Sequence, residues 1–186
     1  MVAGPPPLIS SVGHGARRIQ EFLDILTSFE VGHLVDVRTA PGSRRHPQFG
    51  RDELAASLRS VGIDYAWRKD LGGFRTPTPN SRHAAMRNES FRGYADYMDG
   101  PEFDAAFQWL EETARRDHTA FMCAESLWWR CHRRMIADAL QTRGWTVRHL
   151  MAPGQARPHR LHPAARLVGT EVVYDVGEPL QETLPT

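Results

Sequence analysis

Five short apolar runs, LISSVG, HLVDVR, IDYAW, TAFMC and TVRHLM, alternate along the chain with stretches of helical periodicity. Strands this apolar must be covered on both faces. Strands joined through helices form right-handed crossovers in a parallel sheet. The intervening stretches supply the cover. Ile19, Phe22, Leu23, Ile25, Leu26 and Phe29 fall at helical spacing. RDELAASLRSVG reads as a helix stopped by Gly62, and SFRGYADYMD and PEFDAAFQWLEETARR as two more, the second opening on Pro101. A further helix is predicted over 128–143, stopped by Gly144. The expected fold is an α/β three-layer domain, with a mostly parallel sheet of about five strands flanked by helices, over residues 8–150. Residues 1–7 read as a flexible N-terminus. The proline-punctuated FRTPTPNSRHAAMRN reads as a long loop or flap. Alternation is lost over 151–186, which reads as a C-terminal arm packing on or trailing from the domain, with one edge strand at 171–175.

At 186 residues the chain can bury a sizeable core. It has no apolar run near the roughly 20 residues of a membrane span and no secretory pattern at its start, so no membrane association is expected. Two cysteines are too few for a disulfide framework, which points to a reducing cytoplasm. A net charge of +1 does not mark a nucleic-acid binder. Lys69 is the only lysine among 23 basic residues. The bland reading of that bias is codon usage in a GC-rich genome. The sharper reading is a use for planar guanidinium forks, which grip phosphate or carboxylate bidentately.

In parallel sheets ligands bind beyond the carboxyl ends of the strands. Four polar clusters satisfy that rule. Gly13-His14-Gly15 follows the first strand. Asp36 and Arg38, two apart and therefore on one face, end the second and lead into Ser43, Arg44, Arg45 and His46. Lys69-Asp70-Leu71-Gly72-Gly73 follows the third. Cys123 closes the fourth, ahead of Glu125, Cys131, His132 and Arg133. Asp36 and Arg38 read either as a structural ion pair or as an anion clamp in which Asp36 orients Arg38. His14, Arg38, Arg44 and Cys123 are expected to surround a common hollow.

The segment FMCAESLWWRCHRR holds both cysteines. Cys123 reads as a nucleophile with His14 or His132 as base. Alternatively Cys123, Glu125, Cys131 and His132 ligate a divalent metal ion, or the two thiols form a reversible disulfide. A cysteine-phosphatase loop needs arginine six positions after its cysteine, where this chain has Trp129. Cys131 and His132 are neighbours, and on a helix their side chains would diverge by about 100°. Trp128, Cys131, Met135 and Ala139 also recur at helical spacing, so Cys131 reads equally well as core.

SVGHG, LVDVRTAPGSRRHPQF, GIDYAWRKDLGG and MCAESLWWRCHRRMIADAL together resemble the family catalogued as domain of unknown function 488. The Cys-x-Glu followed by Cys-His-Arg is the most specific piece. The resemblance implies a compact α/β domain of the bacterial cytoplasm and no established activity. It selects His14, Asp36, Arg38, Ser43, Arg44, Phe49, Gly72, Gly73, Cys123, Glu125, Cys131, His132 and Arg133. Gly15 departs from the serine such proteins often carry there. The expected function is an enzyme acting on a small anionic or phosphate-bearing substrate, a nucleotide or nucleic-acid end. In it His14, Cys123 and Glu125 are catalytic and Asp36, Arg38, Ser43, Arg44 and Arg133 bind substrate. The alternatives are a non-catalytic nucleotide or nucleic-acid binding module, or a Cys123/Cys131 redox sensor.

Overall fold

A computed structural model describes residues 5–42 and 44–177. Its elements run β1 Leu8–Gly13, α1 Ile19–Ser28, β2 His33–Asp36, α2 Arg51–Arg59, β3 Asp64–Trp67, α3 Glu89–Met98, α4 Pro101–Arg116, β4 Thr119–Cys123, α5 Arg133–Thr142, β5 Thr146–Ala152, β6 Gln155–Pro158, β7 Ala165–Val168 and β8 Glu171–Tyr174. The main sheet has the order β3-β2-β4-β1-β5-β6. Its first five strands are parallel and β6 is antiparallel. β7 and β8 form a separate antiparallel pair.

Strand alternation sorts the side chains into two layers. Val12, Leu34, Ala120, Met122 and Leu150 face α1 and α2, which bury Phe22, Leu23, Ile25, Leu26, Leu54 and Leu58 against them. Ile9, Val35, Phe121, Cys123 and Val147 face α3, α4 and α5 on the other side. α4 shows why such a helix forms there. Phe103, Ala106, Phe107, Leu110 and Ala114 make a single apolar stripe. Pro101 opens the helix, acidic residues occupy its first turn and arginines its last, as the helix dipole favours.

Three details differ from the sequence reading. β6 is a sixth strand in the main sheet. The strand foreseen near 171–175 is β8, and it pairs with β7 rather than with the main sheet. The helix predicted from Trp128 begins only at Arg133, after a single 3-10 turn at Trp128–Arg130 and an extended Cys131. No helix among the described residues is long and apolar enough to cross a membrane.

The chain leaves β1 for β2 on one side and leaves β4 for β5 on the other, and β1 and β4 are neighbours. Their carboxyl ends therefore form the point at which strand order switches, where open α/β sheets place ligands. The Gly13-His14-Gly15 and Cys123-Ala124-Glu125 loops lie there side by side, tied by His14 N to Cys123 O at 3.1 Å and Gly15 N to Ala124 O at 2.9 Å.

Candidate functional site

Side-chain parity divides the expected residues between two faces of this edge. Gly13 is in register with Cys123. His14 is one position further on and points the opposite way, toward the α1/α2 layer. The single hollow expected around His14, Arg38, Arg44 and Cys123 is thus two buried clusters with the sheet between them.

On the α1/α2 face, Asp36 and Arg38 form a fully buried ion pair. Arg38 Nε and Nη2 donate to the Asp36 carboxylate at 2.8 and 2.6 Å, and Tyr65 Oη donates to the same carboxylate at 2.7 Å. Desolvation, reinforced by that carboxylate, raises the Tyr65 phenol well above its ordinary range. Arg38 Nη1 is left to face His14 Nε2 at 3.4 Å, while His14 Nδ1–H donates to Gly15 O at 2.8 Å. The imidazole stacks on Phe49 with centroids 4.2 Å apart. Burial lowers the pKa of His14 to about 4, so the ring is neutral near pH 7. Arg44 is exposed on the following loop, and Ser43 lies outside the described residues.

The α3/α4/α5 face carries the thiols. Cys123 and Cys131 are both free and buried. Arg133 is only 2% exposed. Its Nη1 lies 2.8 Å from the Cys123 sulfur and also donates to Glu125 O, and its Nη2 donates to Ser126 O at 2.9 Å. Its Nε has no partner, and among the described residues no carboxylate pairs with it. Arg133 reaches back to the carbonyls of the Glu125-Ser126 turn and so ties the first residue of α5 to the loop after β4. Gly13 makes room for the arrangement, since a Cβ there would stand 2.0 Å from Glu125 O and 2.8 Å from the guanidinium. Gly15, at φ +54°, would bring a Cβ to 1.9 Å from Ser126 Oγ. The departure from serine noted at position 15 thus suits the packing of this chain.

Burial opposes ionisation of both thiols. In Cys131 the hydrogen bond from Cys123 and the charge of Arg133 outweigh it and lower the pKa, whereas in Cys123 burial and the neighbouring sulfur raise it well above the ordinary value. The two behave as one titrating unit, losing a first proton early and a second late. His132 Nε2–H donates to Val37 O at 3.2 Å, which turns the Nδ1 lone pair toward the Cys131 sulfur at 3.6 Å. Burial lowers the His132 pKa, so the ring stays neutral.

Glu125 contributes its carbonyl to Arg133, but its carboxylate is exposed and accepts from Leu127 N at 3.2 Å. Of the four residues read as possible metal ligands, Glu125 thus lies at the surface, while Cys123 and Cys131 are buried and His132 is half-buried. Among the described residues no three His, Cys, Asp or Glu side chains are placed to hold an ion.

Two further features escape motif reading. Arg17 donates to Gly13 O at 2.7 Å and Met151 O at 2.9 Å, bracing the ends of β1 and β5. A cleft of about 550 Å³ opens at the ends of β2 and β3, lined by Thr39, Trp67, Arg68, Lys69, Asp70 and Arg75. Gly72 and Gly73 join it to the thiol face. A Cβ on Gly73 would meet His132 Nδ1 at 3.0 Å, and one on Gly72 would meet the cleft residue Thr39 at 2.6 Å. The position of the RKDLGG segment after a strand was the available signal for this cleft. Its lining residues were not separable by sequence from an ordinary turn.

No curated protein and no solved structure matches the chain. The family model described as "Domain of unknown function DUF488" matches residues 18–140, well over half of the sequence, and the chain belongs to that family.

Proposed function

We propose that the protein is a thiol-dependent enzyme acting on a small anionic substrate, with the Cys123/Cys131 pair as its reactive centre. One observation carries this reading: Arg133 is a buried guanidinium without a carboxylate partner among the described residues, and one of its N–H groups is directed at the Cys123 sulfur. A buried charge without a counterion is destabilising by several kcal/mol. A thiolate held between the two sulfurs supplies that counterion, and the thiolate is the nucleophilic form of cysteine. His132 presents a neutral ring nitrogen to the Cys131 sulfur at 3.6 Å, within reach of its S–H. The anionic class of substrate is supported by basic groups around this edge that have no carboxylate partner among the described residues, Arg133 beneath the loop and Lys69 and Arg75 in the adjoining cleft.

The test is thiolate absorbance near 240 nm as a function of pH. The native protein should show one thiolate forming below the ordinary thiol range, and Arg133→Met should move it above that range. Two thiols titrating at or above ordinary cysteine in the native protein would end the proposal.

A further inference from the structure

The 550 Å³ cleft beside the thiol face has a chemistry of its own. Asp70 is its one acidic lining residue and is already neutralised. Arg68 donates to it at 3.0 and 2.6 Å and lies over the Trp109 ring at 4.2 Å. Lys69 and Arg75 remain, and among the described residues neither has a carboxylate partner. Arg75 is held over the Tyr97 ring at 3.8 Å, and its buried Nε has no hydrogen-bond partner. The cleft therefore presents two uncompensated positive charges, one of them a planar fork suited to phosphate oxygens.

The aromatic groups are as distinctive. The Trp67 indole is fixed by its Nε1–H donating to Arg38 O at 2.8 Å. Phe74 joins Gly73, whose carbonyl accepts from Thr39 Oγ1 at 2.9 Å, to Arg75. Phe74 is 88% exposed and sits at φ +62°. A bulky residue in the left-handed region is strained, and an exposed phenyl ring gains nothing from burial. Both disadvantages fall on one residue, next in the chain to the cleft residue Arg75. A stacking partner would relieve the second and use the first, because the backbone twist turns the ring outward.

We infer that this cleft binds a nucleoside phosphate, the phosphates on Lys69 and Arg75 and the base against Phe74 and Trp67. The volume lies within the roughly 300–1,000 Å³ of small-ligand sites. The inference deepens the reading of a small anionic substrate and rests on it for the catalytic consequence. The binding itself does not require a reactive thiol.

The probes are ADP, GDP, CDP, UDP and inorganic pyrophosphate, each titrated calorimetrically and by tryptophan fluorescence against the full chain. At least one nucleotide should bind saturably and more tightly than pyrophosphate. Lys69→Met should weaken nucleotide and pyrophosphate alike by roughly tenfold. Phe74→Ala should weaken the nucleotide by roughly tenfold and leave pyrophosphate within about twofold. Both side chains are exposed, and unchanged thermal unfolding would confirm that the variants fold. No saturable binding at millimolar concentrations overturns the site. Pyrophosphate binding as tightly as every nucleotide, with Phe74→Ala silent, overturns the nucleoside assignment. Failed nucleotide binding with the thiolate titration intact retires the cleft alone; an ordinary thiol titration with binding intact retires the reactive centre alone.

Discussion

Two buried polar clusters lie on the same face of the sheet, and they differ in how completely their hydrogen bonds are satisfied. One is a chain running from β1 to the C-terminal hairpin. Ser11 Oγ–H donates to His149 Nδ1 at 2.7 Å, His149 Nε2–H to His159 Nδ1 at 3.0 Å, and His159 Nε2–H to Asp138 at 2.9 Å. Tyr174 Oη and the His162 amide donate to the same carboxylate at 2.8 and 3.0 Å. In this arrangement every donor in the chain has one acceptor. The other cluster is Cys123, Cys131 and Arg133, with a charge that lacks a carboxylate and a buried Nε that lacks any partner. A complete network fixes structure, and here it pins β6 and β8 to α5. An incomplete one leaves part of a buried charge uncompensated, and it is on that feature that the proposed thiol centre rests.

The largest expected effect comes from breaking the complete network. Asp138→Ala strands three buried donors and should destabilise the protein by about 3–5 kcal/mol, read from urea unfolding. Cys131→Ala, a truncation just as buried but in the incomplete cluster, should cost about 1 kcal/mol. Equal losses from the two would erase the distinction between them.

Next in size is the response to acid. Burial, with help from His159 and nearby arginines, lowers the pKa of His149 to about 2, and burial lowers His14 to about 4, both from 6.5. A depressed folded pKa contributes stability that is present above the unfolded value and lost as pH falls. Below pH 6.5 the unfolded chain takes up protons that the folded chain refuses. From pH 7 to pH 5 these two histidines should therefore lower the unfolding free energy by roughly 3–4 kcal/mol, about half each, and His162, held at about 4 by burial, adds a share of similar size. His149→Gln should remove about a third of that slope, roughly 2 kcal/mol. An unchanged slope would mean that the chain is not held neutral.

The two clusters were unequally legible in the sequence. Alternating strands and helices, and the polar residues at strand ends, are local patterns, and both survive in the structure. Asp36 and Arg38 share a face because they are two apart, and that much needs no coordinates. Parity between strands does need them. Cys123 and His14 fall on opposite faces because Gly13, not His14, aligns with Cys123, a matter of register across 110 residues. Ser11 and His149 were visible only as members of two separate strands, and nothing local says that those strands pair. β6 is QARP, exposed at every position, so it has no alternation to read. Main-chain bonds to β5 make it a strand. The 128–132 stretch has helical spacing, but it forms only a 3-10 turn, and Cys131 is extended before α5 begins.

Arg133 is also where the smallest change in stability should accompany the clearest change in chemistry. Arg133→Met removes a buried charge and keeps most of the volume, while Glu125 O and Ser126 O lose their donors. These effects oppose one another, and the net change near pH 7 should stay within about 1 kcal/mol. The pH dependence is what moves. Because Arg133 lowers the first ionisation of the dithiol below the 9.0 of a free thiol, the native protein gains stability as pH rises from the lowered value toward 9.0. The raised second ionisation reverses that gain above 9.0. In the methionine variant the gain on the lower limb should vanish, because no charge remains to favour the thiolate. Arg133→Lys should restore part of it, since the charge survives and the fork does not. Stability that rises equally with pH in all three proteins would place the arginine among the structural groups, with Asp138 and its histidines.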